Sequence, residues 1–398
     1  MAQGRFDSMH VLIIGVGAAG SMAAWRLTAS GHRVTALEQF TLDHDYGSSY
    51  GETRIVRRVY PDALYTAMMG ESFDLWGELE SAWKGATAGA EDAASGTDLL
   101  VQRGGLFFAP DGHQQLEEAH AALVSNGVAC ERLNCEAVAD RFPAFHLPAG
   151  YQALFEPSMG YARASNAVVA AASLARLAGA EIREQTSADS IEMENGRLLV
   201  VDNHGGRYFP DRVLITAGPW TPRFMDQGTL KRGTKAAPLR VTRQVYCHLE
   251  PDAQDELFGD ERFPVWIDIS TGMYGFPHVG PVPGVKIASH NHGAVYTPTT
   301  VDRSVSEIDR LPLLRYAAER FPGLSDRVVY EKTCLYTNTI DEDFIIDIGD
   351  LPGVFVVSAC SGHGFKFAPL IGQIAAELST DRSIGRDLSR FRRSRFLH

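Results

Sequence analysis

The stretch HVLIIGVGAAG occupies residues 10–20 and decides the fold of this chain. Its apolar half predicts a buried strand. The strand runs into a G-x-G-x-x-G pattern formed by Gly15, Gly17 and Gly20. The first glycine allows a tight turn, the second lets a pyrophosphate approach the backbone, and the third lets the next helix pack closely. A second apolar strand ends at Glu38, where an acid can hydrogen-bond ribose hydroxyls. This order of features predicts a dinucleotide-binding βαβ unit.

The glycine pattern does not distinguish FAD from NAD. Further along the chain, Asn195-Gly196 is a strong short hairpin signal between two strand patterns. After this meander an apolar strand, residues 213–216, ends at Ala217-Gly218. Two-domain FAD proteins commonly carry such a segment, so the pattern favours FAD. A glycine-rich turn that binds no ligand is the alternative reading.

The order of strand and helix patterns predicts the fold class. β-rich patterns fill residues 240–293, and the chain then returns to strand followed by helix over residues 354–378. We expect a mixed α/β protein with a Rossmann-type FAD-binding domain interleaved with a substrate domain, the latter built on a largely antiparallel β-sheet. The FAD-binding domain is predicted at residues 1–80, 146–220 and 325–398, and the substrate domain at residues 81–145 and 221–324.

Composition excludes several classes of protein. Apolar residues make up 45% of the 398 residues and charged residues 22%, which are ordinary globular values. The formal net charge of −12 argues against nucleic acid or an anionic membrane as the main partner. No apolar run approaches the ~20 residues of a membrane span, and no secretory signal is visible. Five irregularly spaced cysteines predict no disulfide framework and indicate a cytoplasmic location.

Longer motifs extend over nearly the whole chain. They resemble those of monomeric sarcosine oxidase and N-methyltryptophan oxidase, a family of amine-oxidising FAD enzymes. Besides residues 15–20, the motifs are GSSYGETRIVR at 47–57, YGFP at 274–277, KIASH at 286–290, CLYT at 334–337, DEDFIID at 341–347 and SGHGFKF at 361–367. The resemblance implies a monomeric oxidase whose partners are a small amine or amino acid and O2.

The resemblance implies roles for several residues near the flavin. Cys334 takes the place of the cysteine that joins the flavin as a thioether, a reaction that needs a thiolate. Lys286 matches the lysine that promotes reaction with oxygen, where a fixed cation stabilises developing superoxide. Arg54 matches an arginine beside the flavin, and Gly362 and Gly364 belong to a motif expected to contact the cofactor.

The resemblance also implies a substrate pocket. Arg57 and Lys366 match a pair that grips the substrate carboxylate, for which a planar guanidinium is well suited. Taken alone, the arginines of this stretch read as a solvated cluster. Tyr274, Tyr336 and His290 match pocket residues, although each could also be an ordinary core or sheet residue. A metal site at His290 and His292 is not expected, because no further ligand completes it.

One departure from the family concerns the residues before Gly51. The family often carries two histidines there, whereas this chain has Ser49 and Tyr50. Tyr50 is therefore expected to line the pocket and to favour a substrate other than sarcosine. Sarcosine, an iminodiacetate-like acid and a cyclic imino acid all remain open.

The predicted reaction is hydride transfer from the carbon beside a neutral amine nitrogen to the flavin, followed by imine hydrolysis and formation of hydrogen peroxide. No obvious general base stands out, and His290 is a weak candidate. Two alternatives are a flavin-dependent dehydrogenase that uses another electron acceptor and a FAD-binding protein without catalytic activity.

Overall fold

The computed structural model describes residues 8–88, 97–226, 239–252, 255–291, 293–381 and 385–396. The helices in these ranges are α1 (Ala18–Ala29), α2 (Ala63–Ala86), α3 (Gln114–Ser125), α4 (Cys135–Arg141), α5 (Ala164–Leu177), α6 (Thr221–Asp226), α7 (Glu307–Arg320) and α8 (Ala368–Ser379). The strands up to residue 215 are β1 (His10–Ile14), β2 (Arg33–Leu37), β3 (Arg54–Val56), β4 (Leu100–Gln102), β5 (Gly105–Pro110), β6 (Glu131–Asn134), β7 (Tyr151–Glu156), β8 (Gly160–Ala162), β9 (Glu181–Arg183), β10 (Ala188–Glu194), β11 (Arg197–Asp202), β12 (Arg207–Tyr208) and β13 (Arg212–Ile215). The later strands are β14 (Arg240–Pro251), β15 (Val265–Asp268), β16 (Met273–Phe276), β17 (Val285–Ser289), β18 (Leu324–Asn338), β19 (Ile345–Ile348) and β20 (Val354–Ser358).

A six-stranded sheet carries the glycine motif. Its order is β19-β20-β13-β1-β2-β9, and every pair is parallel except β19 with β20. Val11 and Ile13 of β1 face helices α1, α5 and α8, while Leu12 and Ile14 face the meander β10-β11-β12. Both faces of β1 are therefore buried, which explains its continuous apolar sequence.

A second sheet has eight strands in the order β18-β14-β17-β16-β15-β5-β7-β6. Its pairs are antiparallel except β15 with β5. One face packs against α4 and α7, where Trp266 and Phe321 are fully buried. A smaller antiparallel sheet, β3-β8-β4, supplies the strand before Arg57.

The predicted mixed α/β fold with two kinds of sheet is confirmed. Strand β7, and β18 apart from Leu324, fall in segments predicted for the cofactor domain, although both strands belong to the larger sheet. The predicted domain boundaries stay a prediction.

The hydrophobic pattern alone does not indicate two elements of the structure. Helix α7 buries only Leu313, Tyr316 and Ala317, so its sequence lacks a strong apolar stripe, and a capping box at Ser306 starts it instead. Strand β18 is half-buried over its first part and buried from Thr333 onwards, which gives no regular alternation. Tertiary contacts position both elements, because α7 packs against the larger sheet and β18 is an edge strand of it.

Candidate active site

One cavity of about 660 Å³ lies between the two large sheets. Its walls are formed by the ends of the parallel strands β1, β2, β13 and β20 and by residues of β14 to β18. Of the residues predicted from sequence, all except Gly20 line it, namely Gly15, Gly17, Glu38, Tyr50, Arg54, Arg57, Tyr274, Lys286, His290, Cys334, Tyr336, Gly362, Gly364 and Lys366. The predicted roles of these residues stay predictions, but their convergence on one cavity is a feature of the structure.

Gly15 and Gly20 form the tight turn at one end of the cavity. Gly15 has a φ of 93°, in the left-handed region that disfavours a side chain. A Cβ on Gly20 would lie 2.0 Å from the Gly15 carbonyl oxygen, so only glycine permits this contact between helix and strand. Gly20 therefore does not line the cavity itself, but lets helix α1 pack closely against the turn that does.

The same end of the cavity fits a dinucleotide. The Ser49 hydroxyl accepts the Ala18 N–H at 3.0 Å, at the N-terminus of α1, where the helix dipole favours an anion. The Glu38 carboxylate is buried and accepts the Val16 N–H at 2.8 Å. Burial raises the pKa of Glu38, although its backbone hydrogen bonds oppose this shift. The narrow glycine turn, the helix N-terminus and the acid provide the contacts that FAD needs.

Cys334 lies on β18 and lines the cavity. Its side chain is buried, and the Arg54 Nη2 atom lies 3.9 Å from its sulfur. Arg54 is held in place because its guanidinium also donates to the carbonyls of Ser48, Tyr50 and Thr53 at 2.6–2.9 Å. The cavity wall therefore holds a buried thiol beside a guanidinium that is fixed by three backbone carbonyls.

The Tyr50 side chain lies beside this cysteine. Its buried hydroxyl donates to the carbonyl of Thr333, the residue directly before Cys334. The substrate contact predicted for Tyr50 stays a prediction. The hydrogen bond itself joins the loop after Ser49 to strand β18.

Lys286 projects from β17 into an apolar part of the cavity. It is 5% exposed, and its Nζ lies 4.3 Å from the Tyr246 ring centroid and 4.8 Å from that of Phe276. Its hydrogen bonds go to the carbonyl and hydroxyl of Thr53, at 3.3 and 3.5 Å. Burial, helped by the charge of Arg54, holds the pKa of Lys286 well below its ordinary value.

Two further cations of the cavity, Arg57 and Lys366, contact the same tyrosine. Lys366 is 5% exposed, and its Nζ donates to the Tyr60 hydroxyl at 3.0 Å and to the His363 carbonyl at 2.7 Å. The guanidinium carbon of Arg57 lies 3.9 Å from the Tyr60 ring centroid, and its Nη1 is buried without a hydrogen-bond partner. Within the described part of the chain, neither cation forms an ion pair with a carboxylate. Burial lowers the pKa of both groups.

Tyr274, Tyr336 and His290 form an adjoining polar wall. The two phenol oxygens are 3.2 Å apart, and the ring centroids of His290 and Tyr336 are 5.6 Å apart. A Cβ on Gly362 would lie 2.5 Å from both the His290 and the Tyr336 rings, so this glycine lets the wall close. Burial raises the pKa of both tyrosines, so they act as neutral hydrogen-bonding groups rather than as bases.

Tyr60, Thr53 and His363 also line or support the cavity, and motif reasoning did not single them out. Thr53 and His363 lie inside the motifs at 47–57 and 361–367, whereas Tyr60 lies in none of the motifs. His292 lies outside the described residues. Among the residues that are described, no group of three or more His, Cys, Asp or Glu side chains could hold a metal ion, and no helix is long and apolar enough to cross a membrane.

Comparison with known proteins is consistent with this geometry. A family model described as FAD dependent oxidoreductase matches residues 10–378. Peroxisomal sarcosine oxidase of Homo sapiens is 31% identical over 397 residues, covering 98% of this chain and 97% of that protein. Monomeric sarcosine oxidase of Bacillus sp. (strain B-0618) is 27% identical over 388 residues, covering 96% and 94%.

The fold has a close counterpart among solved structures. The open form of NikD, an unusual amino acid oxidase of nikkomycin biosynthesis, superimposes with a TM-score of 0.81 over 97% of this chain and 98% of that one. At 22% sequence identity this likeness shows the fold alone.

Proposed function

The chain belongs to the family of FAD-dependent oxidoreductases, and from this premise we propose that it oxidises a small N-substituted amino acid whose carboxylate is bound by Arg57 and Lys366. The proposal rests on two cations in the cavity. Lys366 is buried, and Arg57 is half-buried with a buried Nη1 that has no hydrogen-bond partner. An unpaired buried cation is costly, so a site that keeps two of them side by side favours an anionic ligand.

FAD bound in this cavity would supply the hydride acceptor for the carbon beside the amine nitrogen and the route of the electrons to a second acceptor. The chain's own residues orient the substrate. The two cations hold its carboxylate, and the neutral hydroxyls of Tyr274 and Tyr336 provide hydrogen bonds on the adjoining wall. The apolar rings around Lys286 exclude water from that part of the cavity, which strengthens the effect of its charge. Because a positive charge at Lys286 would stabilise developing superoxide, we propose that O2 is the acceptor.

The experiment for this function is an anaerobic substrate screen. Sarcosine, iminodiacetate, pipecolate and N-methyltryptophan are each mixed with the enzyme, with dimethylamine as a counterpart that lacks a carboxylate. We expect at least one amino acid to bleach the flavin far faster than dimethylamine and to give one hydrogen peroxide per turnover in air. Bleaching by none of them, or equal bleaching by dimethylamine, would contradict the proposal.

We further propose that FAD is attached covalently through Cys334. The support is the buried thiol in the wall of the cavity with the Arg54 guanidinium 3.9 Å away. Acid precipitation should leave the flavin on the protein, in the peptide that contains Cys334, because a thioether survives denaturation. Cys334→Ser should fold and release all its flavin, while Cys247→Ser, a buried cysteine outside the cavity, should retain it. Complete release of flavin from the wild-type protein would refute the attachment.

Location and assembly complete the proposal. None of the five cysteines forms a disulfide, as is common in a reducing compartment, and we propose a cytoplasmic protein. A monomer is proposed because the bacterial relative is named a monomeric enzyme.

A further inference from the structure

Tyr60 is the one described side chain that contacts both cations of the proposed carboxylate site through hydrogen bonding and ring stacking. Its ring face lies against Arg57, with 3.9 Å from the ring centroid to the guanidinium carbon. Its hydroxyl lies 3.0 Å from the Lys366 Nζ. The side chain is 6% exposed and lies in the segment between β3 and α2. One buried phenol therefore touches two residues that are 309 positions apart in sequence.

The hydrogen bonds around Tyr60 determine where its proton points. His363 Nε2 lies 3.0 Å from the carbonyl oxygen of Glu342, which can only accept, so this nitrogen carries the ring proton. His363 Nδ1 is then an acceptor, 3.2 Å from the Tyr60 hydroxyl. The phenol donates its single proton to His363 and presents an oxygen lone pair to Lys366. Burial lowers the pKa of His363, which keeps this neutral tautomer in place.

The arrangement leaves one N–H of Lys366 for a ligand. In its protonated form, which an anionic ligand favours, Lys366 has three donors, and two of them go to the Tyr60 oxygen and to the His363 carbonyl. Arg57, stacked on the same phenol, keeps its buried Nη1 without a partner. The two free donors thus belong to Arg57 and Lys366, and Tyr60 contacts both side chains.

We propose that Tyr60, with its proton direction set by His363, is the positioning residue that makes this enzyme selective for substrates that carry a carboxylate. The proposal rests on the proposed function of Arg57 and Lys366. It assigns two separable tasks to one side chain: the ring orients the arginine, and the oxygen orients the lysine.

The test measures carboxylate binding without turnover. Propionate, which has a carboxylate and no amine, is titrated into the holoenzyme, and binding is followed by the flavin absorption spectrum. Tyr60→Phe keeps the ring and loses the oxygen, so propionate should bind about 10- to 100-fold more weakly, the range for one hydrogen bond to a charged group. Tyr60→Leu also loses the stacking surface and should bind propionate more weakly still. The matched control is Tyr161→Phe, which removes a buried hydroxyl bonded to Asp260 outside the cavity and should leave propionate affinity unchanged.

A double-mutant cycle separates positioning from general damage. In the Lys366→Met background, Tyr60→Phe should cost little more, because the oxygen no longer has an ammonium to orient. With substrates, Tyr60→Phe should raise KM for sarcosine more than it lowers kcat, and should leave flavin reduction by dimethylamine nearly unchanged.

Several outcomes would overturn the inference. In the double-mutant cycle, an equal loss of propionate affinity for Tyr60→Phe in both backgrounds would do so. With substrates, an equal loss of activity for sarcosine and dimethylamine would do so. Unchanged propionate affinity in Tyr60→Phe, or no propionate binding by the wild-type enzyme, would also overturn it. If propionate binding follows the expected pattern but no amino acid reduces the flavin, the proposed function fails while the role of Tyr60 stands.

Discussion

Replacement of Lys286 by methionine should slow reoxidation of the reduced enzyme by O2 about 10²- to 10³-fold, the usual loss when one charge-stabilising group is removed. Reduction by substrate should change much less, because Lys286 lies among Tyr246 and Phe276 and makes hydrogen bonds only to Thr53 in the described structure. Methionine has a similar shape and is well tolerated beside aromatic rings. The two half-reactions are measured separately by stopped-flow absorbance.

The control for Lys286 is Lys332→Met. Lys332 is also a cation on the larger sheet, but it pairs with Asp45 at 2.6 Å and does not line the cavity. Its loss should leave both half-reactions close to wild type. Equal slowing of reduction and reoxidation in Lys286→Met would refute the oxygen role.

The oxygen reaction should also depend on pH in a defined direction. Only the protonated lysine is a cation, and burial together with Arg54 lowers the pKa of Lys286 well below its ordinary value. Reoxidation of the wild-type enzyme should therefore become slower as the pH rises through this lowered pKa. The methionine variant should lack that transition, so a transition retained in Lys286→Met would assign it to another group.

Replacement of Arg57 by alanine should weaken turnover of an amino acid substrate by about 2–5 kcal/mol, or ~30- to 5,000-fold in kcat/KM. The carboxylate would lose the guanidinium fork while Lys366 remains. Flavin reduction by dimethylamine should change little, since it has no group for the fork to bind. The measurement is kcat/KM for sarcosine, or for the best amino acid of the screen, beside anaerobic reduction by dimethylamine.

The adjacent arginine supplies the matched control. Arg58 is next in sequence and half-buried, but it lies outside the cavity. Arg58→Ala should leave the ratio between the two substrates unchanged. A similar loss of both substrates in Arg57→Ala would contradict the carboxylate site.

The features that sequence determined by itself are local or carried by long motifs. The glycine turn is local because Gly15 needs a positive φ and Gly20 leaves no room for a Cβ, so the letters alone predict the geometry. The α/β fold, the hairpin at Asn195-Gly196 and the family are confirmed on this basis. Motifs singled out the predicted site residues, but neither their convergence on one cavity nor their contacts follow from the motifs.

Tertiary structure alone decided how these motifs meet. Tyr60 carries no distinctive pattern, and its importance appears only where residues near position 60 pack against residues 363–366. Likewise Tyr50 binds the carbonyl of Thr333 on a strand that the hydrophobic pattern does not indicate. The physical reason is range: backbone conformation depends on neighbours in sequence, whereas the direction of a phenol proton and the place of a buried cation depend on partners some 300 residues away.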